Sequence, residues 1–79
     1  MEPVIVPKLG LTMIEATVGD WLVKVGDVVN AEDPLVDIET DKIVHTIHAP
    51  CKGTVMEIFV PKGATVKVGS ILCTIQPRN

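Results

Sequence analysis

The stretch Glu15-Ala16-Thr17-Val18 recurs 37 residues further along the chain as Lys52-Gly53-Thr54-Val55. The same register, without a gap, brings further glycines and aliphatic residues into coincidence: Gly26 with Gly63, Val29 with Val66, Leu35 with Leu72 and Ile38 with Ile75. Repetition at a fixed spacing indicates a duplicated structural unit. Because 79 residues are too few for two separate hydrophobic cores, we interpret the repeat as two halves of one domain, residues 1–79, related by an approximate two-fold axis.

The composition favours strands over helices. Hydrophobic residues make up 47% of the chain, which has one Trp, one Phe and no Tyr, so Val, Ile and Leu must form most of the core. Val and Ile favour strands, and glycines and prolines divide the chain into runs of about four to seven residues, a typical strand length. We therefore predict an all-β flattened barrel or sandwich, with strands near residues 3–7, 15–18, 21–24, 34–39, 43–48, 53–60, 64–66 and 71–76.

Charge and hydropathy argue against two classes of partner. The net charge is −3 and no basic run with interleaved aromatic residues is present, so we expect no nucleic-acid partner. No apolar run approaches the ~20 residues that span a bilayer, and we expect no membrane partner. The chain also starts without the basic and apolar segments of a signal peptide.

The cysteines and histidines have simple structural interpretations. Cys51 and Cys73 fall on Ile14 and Val36 under the repeat, so we interpret both as reduced thiols that act as small hydrophobic residues, with a disulfide as the alternative. His45 and His48 are three residues apart on a predicted strand and should point to opposite faces, with no third ligand nearby in sequence. We predict no metal site.

The segment 39–43, Glu-Thr-Asp-Lys-Ile, forms a polar tip between two apolar runs and contains Lys42. Adding the repeat length to 42 gives 79, the last residue, so the two-fold axis should place this tip and the chain termini at opposite ends. A Schiff-base or general-base lysine needs burial or nearby positive charge, whereas Glu39 and Asp41 would stabilise the ammonium form of Lys42. A lysine that a separate ATP-using enzyme acylates needs only exposure and a fixed turn, and an ordinary solvated surface lysine is the alternative.

Five stretches together resemble a known family. They are Gly10-Leu11-Thr12-Met13, Glu15-Ala16-Thr17-Val18, Trp21-Leu22-Val23-Lys24-Val25-Gly26-Asp27, Glu39-Thr40-Asp41-Lys42-Ile43 and Ala49-Pro50-Cys51-Lys52-Gly53. On these stretches the chain resembles, over essentially its whole length, a lipoyl domain of the dihydrolipoamide acyltransferase component of a 2-oxo acid dehydrogenase complex. This family belongs to the biotinyl/lipoyl attachment superfamily.

The resemblance implies a barrel-sandwich hybrid of two four-stranded antiparallel sheets, with Lys42 at the tip of a hairpin. It implies that lipoic acid is joined to Lys42 by an amide, attached by a lipoate ligase or lipoyl transferase. The domain is then a carrier without an active site. A thiamine-diphosphate-dependent decarboxylase loads the arm by reductive acylation, the acyltransferase core passes the acyl group to coenzyme A, and dihydrolipoamide dehydrogenase reoxidises the arm. The implied location is the bacterial cytoplasm, or the mitochondrial matrix in a eukaryote.

Recognition residues are also carried over from the resemblance. Glu39, Asp41 and Ile43 are expected to help the lipoylating enzyme find Lys42, and plain solvated charges are the alternative for the two acids. The segment from Lys8 to Ile14 resembles an exposed loop that helps the decarboxylase choose its domain. Gly10, Leu11 and Thr12 are therefore predicted recognition residues, whereas Met13 belongs either to this loop or to the core.

Three relatives of this fold are alternatives. A biotinyl carrier domain of a biotin-dependent carboxylase would have Met on both sides of the lysine, where this chain has Asp41 and Ile43. A glycine-cleavage H protein would be longer, and an export adaptor would interrupt the hairpin with a coiled coil. The stretch at 10–13 is similar to pyruvate, acetoin or branched-chain type domains, whereas 15–18 and 43–44 are similar to the 2-oxoglutarate type, and we favour the former.

Overall fold

The computed structural model describes residues 1–8, 14–41 and 43–78, which form eight β-strands and no helix. In chain order the strands are β1 (Glu2–Ile5), β2 (Glu15–Trp21), β3 (Val28–Val29), β4 (Pro34–Glu39), β5 (Val44–His48), β6 (Gly53–Ile58), β7 (Thr65–Lys67) and β8 (Ile71–Pro77). Sheet A has the order β1-β8-β6-β3 and sheet B has the order β5-β4-β2-β7. All strand pairs are antiparallel, which confirms the predicted fold class. Within these described ranges no helix could cross a membrane.

The internal symmetry predicted from the sequence is present in the sheets. A shift of 37 residues carries β2, β3 and β4 onto β6, β7 and β8, and β1 then occupies in sheet A the edge position that β5 occupies in sheet B. Backbone hydrogen bonds obey the same relation. The Gly26 N–H donates to the Val55 carbonyl oxygen over 2.8 Å, and the Gly63 N–H donates to the Val18 carbonyl oxygen over the same distance. Each half therefore bonds its turn to a strand of the other half.

The core lies between the two sheets and is aliphatic. The largest buried side chains come in repeat-related pairs, Leu35 with Leu72 and Ile38 with Ile75, and all four are 0% exposed. Full burial of one such side chain contributes about 1.5–3 kcal/mol. Trp21 packs partly buried against this core and its Nε1–H donates to the Val60 carbonyl oxygen over 2.8 Å. Trp21 is thus a packing residue.

The two cysteines are both reduced, as predicted, but they lie in different surroundings. Cys73 is fully buried at the position that Val36 occupies in the other half, and burial raises the pKa of the Cys73 thiol to about 11. Cys51 is half-buried and packs against the edge of the core. Cys73 therefore behaves as a small hydrophobic residue, whereas the Cys51 thiol remains partly accessible.

One strand prediction is wrong, and Gly19 explains the error. The sequence predicts a break between 15–18 and 21–24, but β2 runs without a break from Glu15 to Trp21, and the next strand is β3 at Val28–Val29. At Gly19, inside β2, a Cβ would come within 3.1 Å of the Asp37 carbonyl oxygen on β4. This glycine permits close approach of two strands, and the pairing register shifts between Val18 and Trp21 without ending β2.

Glu32 has a left-handed backbone, with φ of 71°, at the position where the other half has Gly69, with φ of 90°. Both N–H groups make repeat-related hydrogen bonds, to Ala49 and Val6 respectively. Because a residue with a Cβ is strained in this region, we expect Glu32→Gly to raise the free energy of unfolding by about 0.5–1 kcal/mol, reduced by the entropy that glycine adds to the unfolded chain. Urea unfolding monitored by Trp21 fluorescence measures the change.

The matched control is Gly69→Ala, which should lower the free energy of unfolding by about 1 kcal/mol, because alanine is disfavoured at positive φ. Effects of the same sign in the two variants would contradict the backbone explanation.

Thiol labelling tests the different surroundings of the two cysteines. Because the thiolate is the reactive form, we expect a chromogenic disulfide reagent at pH 7 to label Cys51 in the folded protein and to leave Cys73 unlabelled until denaturant is added. A Cys51→Ser variant should show no fast labelling. Fast labelling of that variant under native conditions would show that Cys73 is not buried.

Candidate functional site

The hairpin formed by β4 and β5 holds the segment that the sequence singled out. The pairs Ile38 with His45 and Glu39 with Val44 continue the antiparallel register up to the connection, residues 40–43. Lys42 belongs to this connection by sequence, and its own structure lies outside the described residues. The connection that contains Lys42 in the sequence is therefore flanked on both sides by a regular two-stranded ladder.

The connection 40–43 and the chain termini lie at opposite ends of the domain, as the repeat predicts. Glu39 pairs with Thr17 on β2. Two residues before Thr17, Glu15 pairs with Lys67, the last residue of β7, and β8 begins shortly after it at Ile71. β8 then runs away from this end to Pro77, beside the start of β1. The domain is 38 Å long and only 21 and 16 Å in its other dimensions. The hairpin connection is therefore at one tip of an elongated domain.

Thr40 closes the connection. Its N–H donates to the Ile43 carbonyl oxygen over 2.9 Å. Its hydroxyl oxygen Oγ1 accepts the Ile43 N–H at 3.3 Å and lies 3.4 Å from the Ile43 carbonyl oxygen, to which it can donate. Thr40 was not among the residues predicted to have a role, although hydroxyl side chains that bond nearby backbone groups are a recognised turn signal.

Two of the predicted recognition residues lie at the connection. Asp41 and Ile43 flank position 42, and both are exposed, Ile43 to 46%. Val44, the first residue of β5, is 64% exposed. The described flanks of Lys42 thus present one carboxylate and two accessible aliphatic side chains to solvent.

Glu39, the third predicted recognition residue beside Lys42, is directed away from the connection. The Glu39 Oε1 lies 3.5 Å from the place that a Cβ would occupy on Gly19. Gly19 is two residues beyond Thr17, the residue of β2 that pairs with Glu39. The carboxylate therefore lies back along the outer surface of sheet B. The role of Glu39 in recognition by the lipoylating enzyme stays a prediction.

An exposed ion pair joins β2 to the segment between β6 and β7. Lys62 Nζ lies 2.7 Å from Asp20 Oδ1, and both side chains are exposed. The hydrogen bond that Lys62 donates to Asp20 raises the pKa of Lys62, with a smaller contribution in the same direction from the charge of Glu39. Because the pair is exposed, it contributes little to stability.

The predicted recognition loop joins β1 to β2 at this same end. Gly10, Leu11 and Thr12, with Met13, lie outside the described residues. Ile14, which follows them, is 75% exposed, and its carbonyl oxygen accepts the Val68 N–H over 3.0 Å. Ile14 is therefore an exposed aliphatic residue beside Glu15, at the end of sheet B that holds the connection 40–43.

The histidines of β5 add no metal chemistry in the described parts of the chain. His45 and His48 are both exposed. Among residues 1–8, 14–41 and 43–78, no group of three or more His, Cys, Asp or Glu side chains is arranged to hold a metal ion.

Comparison with known proteins identifies the family. The sequence profile of the biotin/lipoyl family, described as "Biotin-requiring enzyme", matches residues 2–75. The chain is 44% identical over 66 residues to the dihydrolipoyllysine-residue succinyltransferase component of the 2-oxoglutarate dehydrogenase complex of Rickettsia typhi, covering 84% of the chain and 17% of that protein. It is 42% identical over 74 residues to the dihydrolipoyllysine-residue acetyltransferase component of the pyruvate dehydrogenase complex of Mycobacterium tuberculosis, covering 94% of the chain and 13% of that protein.

A solved structure agrees with these sequence matches. The lipoyl domain of the 2-oxoglutarate dehydrogenase complex of Azotobacter vinelandii superposes with a TM-score of 0.83 at 30% identity, and the match covers 100% of both chains. The chain thus spans less than a fifth of the two acyltransferase components but the whole of an isolated lipoyl domain. The chain belongs to the biotinyl/lipoyl attachment family and, within it, to the lipoyl domains of 2-oxo acid dehydrogenase acyltransferase components.

Proposed function

We propose that this domain carries lipoic acid as an amide on the ε-amine of Lys42. The proposal depends chiefly on one observation: the Thr-Asp-Lys sequence falls in the connection 40–43 of a regular hairpin, in a chain that matches a lipoyl domain over its full length. The described flanks are compatible with the attached group, because Asp41 and Ile43 are exposed and Glu39 is directed away. An arm attached there would extend into solvent.

The attached group would supply the chemistry of acyl transfer and of dithiol-disulfide exchange. The contribution of this chain is presentation. The hairpin fixes the attachment point at the tip, and amide formation removes the positive charge of the lysine. Asp41 then remains as a charged group at the tip, beside the exposed side chains of Ile43 and Val44. These groups are the surface that partner enzymes would meet.

The proposed partners follow from the family. A lipoate ligase or lipoyl transferase modifies Lys42, a thiamine-diphosphate-dependent decarboxylase loads the arm, the acyltransferase core delivers the acyl group to coenzyme A, and dihydrolipoamide dehydrogenase completes the cycle. The domain is then a substrate of each enzyme and is not itself a catalyst. Relatives from complexes for 2-oxoglutarate and for pyruvate match it about equally well, so the choice of 2-oxo acid is left to experiment.

Biotin is the competing cofactor, because the matching family also includes biotin-requiring enzymes. One sequence feature and one structural comparison support lipoic acid. Lys42 is flanked by Asp41 and Ile43, whereas biotinyl domains have Met on both sides of the lysine. The matched lipoyl domain is also aligned from end to end.

Modification by purified ligases tests the proposal. Incubation of the unmodified domain with lipoate ligase, ATP and lipoic acid should add one lipoyl group, which intact-mass measurement and peptide mapping assign to Lys42. Lys42→Arg should add none, because its guanidinium cannot form this amide. Lys24→Arg, a substitution at another exposed lysine in a turn, should be modified like the unchanged domain.

A parallel reaction with biotin ligase, ATP and biotin should leave the mass unchanged. Biotin addition without lipoyl addition would replace the proposal by a biotinyl carrier. Lipoyl addition that persists in Lys42→Arg would show that another residue carries the arm.

A further inference from the structure

The Thr40 hydroxyl occupies an unusual place in the hairpin. In a two-residue hairpin connection, the N–H of the fourth residue ordinarily donates to the carbonyl oxygen of the first. Here the Ile43 N–H donates to Oγ1 of Thr40 at 3.3 Å, and the same oxygen lies 3.4 Å from the Ile43 carbonyl oxygen. With the backbone bond from the Thr40 N–H at 2.9 Å, Thr40 engages both backbone polar groups of Ile43.

In the described part of the chain, the neighbouring side chains do not make such hydrogen bonds to the backbone of Ile43. Thr40 is half-buried, whereas Asp41 and Ile43 are exposed. Glu39 lies back along sheet B toward Gly19. The next side-chain hydrogen bond between β4 and β5 is donated by Thr46 to Asp37 Oδ1 over 2.7 Å, further from the connection. Of these contacts, only those of Thr40 close the connection itself.

We propose that Thr40 is a positioning residue for the modification of Lys42. The inference rests on the proposed function. The hydroxyl fixes Ile43 relative to Thr40, so the modifying enzyme meets fixed residues on both sides of the connection. Fixed flanks lower the conformational entropy lost on binding. The effect of Thr40 is on binding of the domain by the modifying enzyme, because the Thr40 side chain takes no part in the reaction.

The predicted kinetic signature is a change in KM with little change in kcat. An interaction that acts equally on the bound ground state and on the transition state alters KM alone. Loss of one weak, exposed hydrogen bond corresponds to about a two- to tenfold effect. We expect Thr40→Val to raise the KM of lipoate ligase for the domain by that factor and to leave kcat nearly unchanged.

Two further variants separate positioning from general support of the fold. Thr40→Ser keeps the hydroxyl and should restore a KM near that of the unchanged domain. Thr46→Val removes a threonine hydroxyl that bonds across the same two strands, at the Asp37 pair, and should leave KM unchanged. Val is isosteric with Thr and retains strand propensity, so each exchange removes chiefly the hydroxyl.

Amide hydrogen exchange supplies a readout that does not depend on any enzyme. In Thr40→Val the Ile43 amide should exchange about two- to tenfold faster than in the unchanged domain. In Thr46→Val its rate should not change. The amide of Ile47, in the paired part of β5, should exchange at the same rate in the Thr40→Val variant as in the unchanged domain.

The outcomes are distinguishable. An unchanged domain that lipoate ligase does not modify overturns the proposed function and this inference with it. Normal modification of the unchanged domain, combined with an unaltered KM in Thr40→Val, overturns the inference alone. A rise in KM that Thr46→Val reproduces, or that Thr40→Ser fails to reverse, also overturns it, because the effect would then not belong to the hydroxyl at the connection.

Discussion

The reciprocal bonding of each glycine turn to the central strand of the other half is the constraint on which this domain depends. The Gly26 N–H and the Asp27 carbonyl oxygen both bond Val55, and the Gly63 N–H and the Ala64 carbonyl oxygen both bond Val18. Both glycines have positive φ, which glycine adopts without strain. Neither half can close its sheet alone. One shared aliphatic core then forms between the two sheets, and its repeat-related members are equally buried.

The proposed attachment site lies where this symmetry is broken. The connection 40–43 joins β4 to β5, whereas the corresponding end of β8 and the start of β1 are the two ends of the described chain. Smaller departures occur inside the strands. Asp37 accepts a hydrogen bond from Thr46. Its counterpart Thr74 is paired with Pro3, which has no hydroxyl, and the buried Thr74 Oγ1 has no partner among the described residues.

Features that recur at a fixed spacing were predictable from the sequence. The repeat predicted the two-fold axis and the placement of the 39–43 segment opposite the termini, because aliphatic side chains and turn glycines leave a strong pattern. The composition predicted that the core is aliphatic. Features that depend on contacts across strands were not predictable. Gly19 lies within a strand because of the Asp37 carbonyl oxygen, and β3 has only two residues, too few for a sequence pattern. Thr40 and the orientation of Glu39 likewise depend on distances across the hairpin and along the sheet.

The most direct test of the central claim, that this domain is an acyl carrier, is reductive acylation of the lipoylated protein. Separate reactions would combine it with thiamine-diphosphate-dependent decarboxylases specific for pyruvate, 2-oxoglutarate or branched-chain 2-oxo acids and the matching substrate, followed by intact-mass measurement. We expect at least one decarboxylase to add one acyl group, and to do so more efficiently than with free lipoamide, because the fold contributes recognition. Failure of all three to load the domain, or loading no better than that of free lipoamide, would show that the domain is not an acyl carrier for these enzymes.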